Sequence, residues 1–488
     1  MLRPAQLFMN LPDFTDLIDG ALSTPELELP IWLEDPNTGT RQQPMRATSA
    51  ANLERALAAA WCVHESGSWA KLPVDERAQH LIAMSAELDK RKARIAELES
   101  RTTGAVIGLT SMLGIITTGA WHLAAGQMKT NGAAAALEGP NGHGVEIHHK
   151  PWGPSLSLVP WNAPAPMAAH KLANALAAGS PAILKPSEWA PHGCDVFGEA
   201  AIAAGLPAGV LQIVHGGPEV GDALVRDRRI KAVSYTGGTR GGRSIAHACA
   251  DDFKPAQLEL GGNNPMVVFA DATLDEAAAG IVQLMTSLNG QWCRALGRLI
   301  VHASIANALL DKALAALAQV TIGSSLDAAS QMGPIVHSRH LHTLLQQRDA
   351  LITMGGKAHS STALPAGGGH WLAPTLITGV APEHATEEIF GPIATVHTFD
   401  TDAQALAIAN GTRYGLEAYV FTRDTQRGLA FGREIHAGGI KVNGSSMMGL
   451  NLFAPRPAWG WSGFAEEGTV ETFRFFCGTR VIGVENPN

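Results

Sequence analysis

The sequence predicts an α/β protein built on doubly wound parallel sheets, and three observations carry that prediction. The chain has 488 residues, too many for one hydrophobic core, so two or three domains are expected. Strand-like and helix-like segments alternate from Ser155 to Ala250, the rhythm of a parallel sheet covered by helices. A second alternating block runs from about Asn264 to Val442.

Taken in order, Met1 to Gly20 mixes Pro, Asp and Phe and lacks the charged-then-apolar layout of a targeting signal. Residues 48–100 read as helices, with helical apolar spacing over Ala50–Ala60 and Glu76–Glu99. The stretch Thr102–Met128 has no Lys, Arg, Asp or Glu and is as long as a membrane-spanning helix. Gly, Thr and Ser interrupt it, and Leu, Ile and Val are sparse, so it reads as a buried helix–turn–helix lining a cavity. Gly144 to Pro160 is extended, with alternation at Val145-Glu146-Ile147.

Strands are then expected at Ser155–Val159, Ala182–Lys185, Val210–Val214 and Ala232–Tyr235. Helices are expected at Met167–Ala178, His192–Ala204, Glu219–Arg226 and Gly241–Ala250. The second block offers Met266–Phe269, Arg298–Val301 and Ala394–Phe399 as strands. Val470–Val484 is rich in Thr, Phe and Val, and a terminal strand with no evident partner often completes a neighbour's sheet.

Composition narrows the function classes. Hydrophobic content of 46% with 16% charged residues describes a globular protein with a large interior. The net charge of -8 is scattered, and no basic stripe points to nucleic acid. Cys62, Cys194, Cys249, Cys293 and Cys477 are few, distant and odd in number, which fits free thiols in a reducing, cytoplasmic setting. No cysteine pair has zinc spacing, and His148-His149 and His337/His340/His342 lack carboxylate or thiol companions. They read as polar surface, and no metal is expected.

Two segments carry chemistry. Gly290-Gln291-Trp292-Cys293 offers a thiol, and Leu258-Glu259-Leu260-Gly261-Gly262 offers a carboxylate braced by glycines, with Glu259 and Cys293 34 positions apart. A thiol nucleophile with a separate carboxylate base suits covalent catalysis on a carbonyl followed by attack of water. On burial habits alone, a lone Cys is more often a core residue. Glu259 lies between two leucines, which favours a raised pKa, but it equally fits a paired acid at a strand end. Asn162 is a turn residue or an amide donor. The turn Thr236-Gly237-Gly238-Thr239 follows a strand and opens a helix, where N–H groups and the helix dipole attract phosphate. It is not a G-x-G-x-x-G fingerprint, and Gly pairs mark turns generally.

Six motifs occur in one order: Pro160-Trp161-Asn162, Lys185-Pro186-Ser187-Glu188, Thr236-Gly237-Gly238-Thr239, Leu258 to Gly262, Gly290 to Cys293, and Glu387-Glu388-Ile389-Phe390-Gly391-Pro392. Together they resemble the NAD(P)-dependent aldehyde dehydrogenase superfamily from about residue 30 to the C-terminus. The resemblance implies that Cys293 adds to an aldehyde, giving a thiohemiacetal that yields hydride to the nicotinamide and becomes a thioester. It implies an oxyanion held by the Asn162 amide and the Cys293 N–H, and water activated by Glu259 with Gly261-Gly262 letting it move. Relatives that pass the acyl group to coenzyme A commonly lack this Glu. Such a transferase, or a silent binding relative, is therefore the alternative class.

The resemblance also places Lys185 and Glu188 at the adenosine ribose, Glu388 at the nicotinamide ribose and Phe390 beside the ring, with Trp161, Thr236, Gly237, Gly238 and Gly261 completing the cofactor site. A carboxylate at Glu188 accepts from ribose hydroxyls and repels a 2′-phosphate, so NAD is expected over NADP. It implies a cofactor domain from residues 1–129 and 151–261, and a catalytic domain from 262–463. Residues 130–150 and 464–488 would form an oligomerisation arm, in a homodimer or homotetramer without membrane attachment.

Departures from the family pattern bear on substrate. Gly238 stands where Ser is usual, with Arg240 as a possible substitute contact, and Asn263 replaces Lys. Most relatives read Pro-x-Gly-Gly-x-Lys-x-Ser-Gly where this chain reads Pro455-Arg-Pro-Ala-Trp-Gly-Trp-Ser-Gly463. Met112, Ile116, Trp292, Met447, Met448 and Phe453 are the expected pocket residues. Nearly all are apolar, which suits a bulky, apolar or aromatic aldehyde. Arg456 is the competing feature, able to hold an acidic group or to lie on the surface.

Overall fold

The computed structural model describes residues 11–131, 135–139 and 142–485. The first ten residues of the segment read as signal-free lie outside these, as do parts of the expected arm at 132–134, 140–141 and 486–488.

Two large sheets organise the chain. The first runs in the order Ala21–Ser23, Asp16–Ile18, Leu211–Ile213, Ala182–Pro186, Ser155–Val159, Ala232–Thr236, Ala256–Glu259 and Gly463–Phe464. Its middle five strands are parallel and the flanking ones antiparallel. Every residue of Ser155–Val159 and Ala182–Pro186 is buried. Helices cover both faces of such strands, so they appear in sequence as apolar runs with no alternation. Strand order reverses between Ser155–Val159 and Ala232–Thr236, which opens a crevice at their carboxyl ends.

The second sheet runs Lys357–His359, Thr375–Thr378, Ile393–Phe399, Leu296–His302, Asn264–Val268, Glu417–Phe421 and Gly439–Val442, parallel except at the first pair. Leu260-Gly261-Gly262-Asn263 joins Ala256–Glu259 directly to Asn264–Val268. The carboxyl ends of the first sheet therefore meet the amino ends of the second, and Cys293, just before Leu296–His302, lies at that junction.

The helix Pro164–Ala178 begins with Pro in its first turn and ends at Gly179 with φ 92°, three residues ahead of the expected start. Its alanines let it pack closely beneath the helices Val74–Thr103 and Ile107–Asn131. The uncharged stretch is not a helix–turn–helix. Val74–Thr103 closes at Gly104 with φ 79°, and Ile107–Asn131 then runs on as one helix. The glycines that read as a turn sit inside it, where packing outweighs a propensity cost of about 1 kcal/mol each. By length and composition Ile107–Thr130 could cross a membrane; here it packs on its two neighbouring helices.

The C-terminal segment also departs from expectation. Glu471–Phe475 is a short helix, and only Cys477–Gly483 is a strand. That strand has a partner in its own chain, Gly144–Pro151, in antiparallel register from Cys477↔Pro151 to Gly483↔Val145.

At the far edge of the first sheet, the hairpin Asp16–Ser23 is pinned by a buried ion triad. His215 Nδ1 meets Asp16 Oδ1 and its Nε2 meets Asp195 Oδ1, both at 2.8 Å. Burial alone would lower the imidazole pKa, but the carboxylates of Asp195 and Asp16 push it up to about 9. Because the folded pKa exceeds the ordinary 6.5, the charge stabilises fully below about pH 6.5 and fades as pH rises through about 9. The shift corresponds to roughly 3 kcal/mol. In chemical denaturation, wild type should lose stability of this order between pH 6 and 9.5 beyond any loss in His215→Gln. Equal pH profiles for the two proteins would remove the triad from the account.

Candidate active site

The loop that carries Cys293 is held in a strained shape. Leu288, Asn289 and Gly290 are consecutively left-handed, with φ of 48°, 58° and 73°. Non-glycine residues in that region cost roughly 1–3 kcal/mol each and persist only where surroundings over-determine them. Asn289 supplies the constraint: its Nδ2 donates to Gly104 O at 2.8 Å and Pro334 O at 2.9 Å, and its Oδ1 accepts from Gly333 N–H at 2.7 Å. A Cβ on Gly290 would overlap the backbone of Gly391 and Pro392. The Gly290 and Gly391-Pro392 motifs are thus two halves of one close contact.

Each carbonyl from Gln291 to Ala295 has a donor. Asn162 Nδ2 donates to Gln291 O at 2.8 Å, and Ala295 N–H to Trp292 O at 2.9 Å. Asn264 Nδ2 donates to Cys293 O and Ala295 O, both at 2.8 Å, and the Tyr419 hydroxyl to Arg294 O at 2.7 Å. Asn264 and Tyr419 belong to strands of the second sheet, so the loop carrying the thiol is anchored to that sheet.

The carboxyl that faces this thiol comes from the first sheet. Cys293 Sγ donates to Glu259 Oε1 at 3.1 Å. Burial raises the Glu259 pKa, Glu467 raises it further, and Arg294 opposes both. Burial and the adjacent Glu259 push the Cys293 thiol well above its ordinary range. In this arrangement the pair holds its proton on sulfur, with the carboxylate placed to take it. Asn162 reaches the same cavity, and among the described residues the Cys293 N–H has no protein partner.

A cavity of about 960 Å³ opens at the junction of the two sheets. All nine residues expected at the cofactor line it. Lys185 Nζ lies 3.8 Å from Glu188 Oε2 where Ala182–Pro186 ends. Thr236 Oγ1 is buried without a protein partner, and no atom stands within 4 Å of where a Gly238 Cβ would be. Gly238 borders the first turn of Thr239–Ala250, so this cradle leaves an orphaned hydroxyl, open space and a helix N-terminus together, the chemistry of a phosphate site. On the opposite wall Glu388 Oε1 accepts from Gly262 N–H at 2.8 Å, and burial raises its pKa to about 8. A Cβ on Gly261 would overlap that carboxyl. Trp161 meets Phe390 edge-on, ring centroids 5.4 Å apart.

Of the expected substrate residues, Ile116, Trp292, Met447, Met448 and Arg456 line the cavity. Met112 and Phe453 do not: Met112 is 42% exposed and Phe453 55% exposed. The phase of Ile107–Asn131 is the reason for the first, since Leu113 and Ile116 turn inward one helical turn apart and Met112 points away. Phe453 lies on the outer side of its loop. Arg456 is neither free nor simply superficial, because its Nη2 faces Glu467 Oε2 at 3.6 Å. His337 and His340 are not polar surface. His337 stacks on Trp189 with centroids 3.9 Å apart, and His340 lines the cavity and bonds Phe390 O at 2.7 Å.

Sequence reasoning missed two charged groups. Lys171 is fully buried in Pro164–Ala178 and donates to Ser234 Oγ and Glu467 Oε1, both at 2.8 Å. Arg294, Glu417 and Lys441 form a second buried set against the cavity. The available signal was a single charge inside an otherwise apolar helix or strand. Among the described residues no group of three or more His, Cys, Asp or Glu is placed to hold a metal.

Comparison with known proteins gives one pattern. The family model described as "Aldehyde dehydrogenase family" matches residues 26–482. The chain is 35% identical over 348 residues to succinate-semialdehyde dehydrogenase of Paenarthrobacter nicotinovorans, covering 70% of this chain and 77% of that one. It is 30% identical to phenylacetaldehyde dehydrogenase of Pseudomonas fluorescens, covering 96% and 95%. The solved betaine aldehyde dehydrogenase of Staphylococcus aureus in complex with NAD+ superposes with a TM-score of 0.92 at 25% identity, covering 97% of this chain and 95% of that one.

The anchoring of the loop can be measured. Asn264→Ala removes the donor to two carbonyls beside the nucleophile, at an expected cost of about 2–4 kcal/mol in denaturation. It should also accelerate alkylation of Cys293 as the loop loosens. Unchanged stability and labelling would show that Asn264 does not hold the loop.

Proposed function

The chain belongs to the aldehyde dehydrogenase family, and from that premise we propose that it oxidises a bulky, apolar or aromatic aldehyde to a carboxylic acid through a thioester on Cys293. The observation that carries this reading is the 3.1 Å contact between Cys293 Sγ and Glu259 Oε1 beside the Asn162 amide.

The residues suit the steps in order. Glu259 takes the thiol proton, and the thiolate adds to the aldehyde carbon. The resulting oxyanion can receive one Asn162 N–H, the other being engaged by Gln291 O, together with the Cys293 N–H. NAD, when bound, supplies the acceptor for the hydride that leaves the thiohemiacetal carbon. Glu259, once it has released the thiol proton to solvent, removes a proton from water, which attacks the thioester and frees Cys293 as the thiolate. Burial supports this second role, since a raised carboxyl pKa lies nearer the operating pH.

For the cofactor, Lys185 and Glu188 would meet the adenosine ribose, Thr236, Gly237 and Gly238 the phosphates, and Glu388 and Phe390 the nicotinamide half. A carboxylate at Glu188 favours NAD over its 2′-phosphorylated form. Leu113, Ile116, Trp292, Met447 and Met448 support an apolar substrate body, and phenylacetaldehyde in the name of one relative agrees with it. A homodimer or homotetramer in a reducing, cytoplasmic setting belongs to the same proposal. Leu137, Val481 and Ile482, exposed on the small sheet of Ala135–Glu138, Gly144–Pro151 and Cys477–Gly483, suit a contact between copies.

NADH formation over aromatic, long-chain and carboxylated aldehydes tests the whole reading. Wild type should prefer apolar aldehydes, and Cys293→Ala should lose at least about a thousandfold in rate, since the nucleophile acts as a unit with its base. Activity surviving that substitution would overturn the nucleophile, and preference for a small charged aldehyde would overturn the substrate class.

A further inference from the structure

One buried charge set at this site has no part in the steps above. Arg294 follows Cys293, and its Nη1 pairs with Glu417 Oε2. The other Glu417 oxygen faces Lys441 Nζ at 3.7 Å. Lys441 donates in turn to Ser446 O at 2.5 Å and Met448 O at 3.1 Å, on the loop that closes the cavity. The three side chains are 13%, 4% and 7% exposed and line the same cavity as Cys293. Desolvating three charges is costly, and similar-sized apolar residues commonly pack as well. Their neighbours are apolar: Trp292 and Ala295, Leu416 and Ala418, Ile440 and Val442.

The surroundings of Cys293 say what the set does. Glu259 touches the sulfur at 3.1 Å, and Glu388, its carboxyl pushed up to about 8, faces it across the Gly261-Gly262 turn, so each opposes a thiolate when ionised. The Tyr419 hydroxyl is turned to Arg294 O, and Glu467 with Lys171 lies beyond Glu259. Arg294, next to Cys293 in sequence and lining the same cavity, is the cation placed to favour the charged form of both sulfur and carboxyl, and Glu417, braced by Lys441, fixes it from behind. Its Nη1 alone has a partner among the described residues.

We propose that Arg294 is a positioning residue for charge: held by Glu417, which Lys441 braces through its other oxygen, it stabilises the Cys293 thiolate formed when the thiol proton passes to Glu259. In that step the S–H bond breaks, an O–H bond forms on Glu259, and no other bond changes. The same cation steadies the thiolate as leaving group when water cleaves the thioester. Burial and Glu259 push the thiol up, and Arg294 pulls it back toward ionisation. The inference rests on Cys293 being the nucleophile.

Alkylation of Cys293 by iodoacetamide, followed by peptide mass spectrometry across pH on the full chain, tests this without any aldehyde. Arg294→Met should move the labelling midpoint up by about one pH unit, making labelling near neutral pH about tenfold slower. Arg294→Lys should recover most of that shift. Glu417→Gln removes the counter-charge and should move the midpoint the opposite way. Equal-signed shifts, or none, would mark a structural role and overturn the proposal. If a single variant fails to fold, the triple variant Arg294→Met/Glu417→Gln/Lys441→Met leaves no lone buried charge and removes the set's one excess positive charge. A midpoint above wild type then supports the proposal, and one at or below wild type overturns it. Aldehyde turnover surviving Cys293→Ala would defeat the nucleophile reading instead, so the two failures are distinguishable.

Discussion

The contact between Cys293 Sγ and Glu259 Oε1 spans the junction of two sheets, and most of the structure around it exists to hold those two atoms 3.1 Å apart. The thiol rides on a loop tied to the amino ends of the second sheet, and the carboxyl ends a strand of the first. Only Leu260 to Asn263 separate the strands that carry the two anchors. The short connection makes the pair a property of how the sheets abut, not of either sheet alone.

Low dielectric gives the pair its chemistry and its cost. A buried carboxyl and a buried thiol both resist ionisation, so a proton can pass between them with little change in total charge. The surrounding charges come in sets: Lys171 with Glu467 on one side, and on the other Arg294 and Lys441 sharing the single carboxylate of Glu417. The first set is paired charge for charge, as buried ions commonly are, and the second keeps one positive charge in excess near the reacting atoms. Backbone strain at Leu288 and Asn289 belongs to the same economy, because rigid placement of the sulfur depends on it.

The first sheet was largely legible in the sequence because burial on both faces leaves unbroken apolar runs: four of its five parallel strands were located to within a residue, and Ala256–Glu259, with Gln257 inside it, was not. In the second sheet, Lys357–His359, Thr375–Thr378, Glu417–Phe421 and Gly439–Val442 were missed: each is short, and a charged or polar residue opens or splits its apolar run. The motif residues expected at catalysis and cofactor could be picked out because each motif is local in sequence, four of them at the carboxyl ends of first-sheet strands and two just ahead of second-sheet strands, so that all line one cavity. The substrate wall was less legible: Met112 and Phe453 were chosen by residue type, whereas helix phase and loop orientation decide which side chains face inward. The ion set behind Cys293 could not be assembled from sequence at all, because Arg294, Glu417 and Lys441 meet only through sheet register.

The central claim is that one carboxyl serves both the thiol and the water. Glu259→Gln, mixed with NAD and an aldehyde that wild type oxidises, tests it by mass spectrometry of Cys293 alongside NADH absorbance. The account predicts both steps impaired: NADH forms more slowly than in wild type and stops at about one equivalent per site, while an acyl group persists on Cys293. Sustained turnover, or a first equivalent of NADH at the wild-type rate, would contradict it.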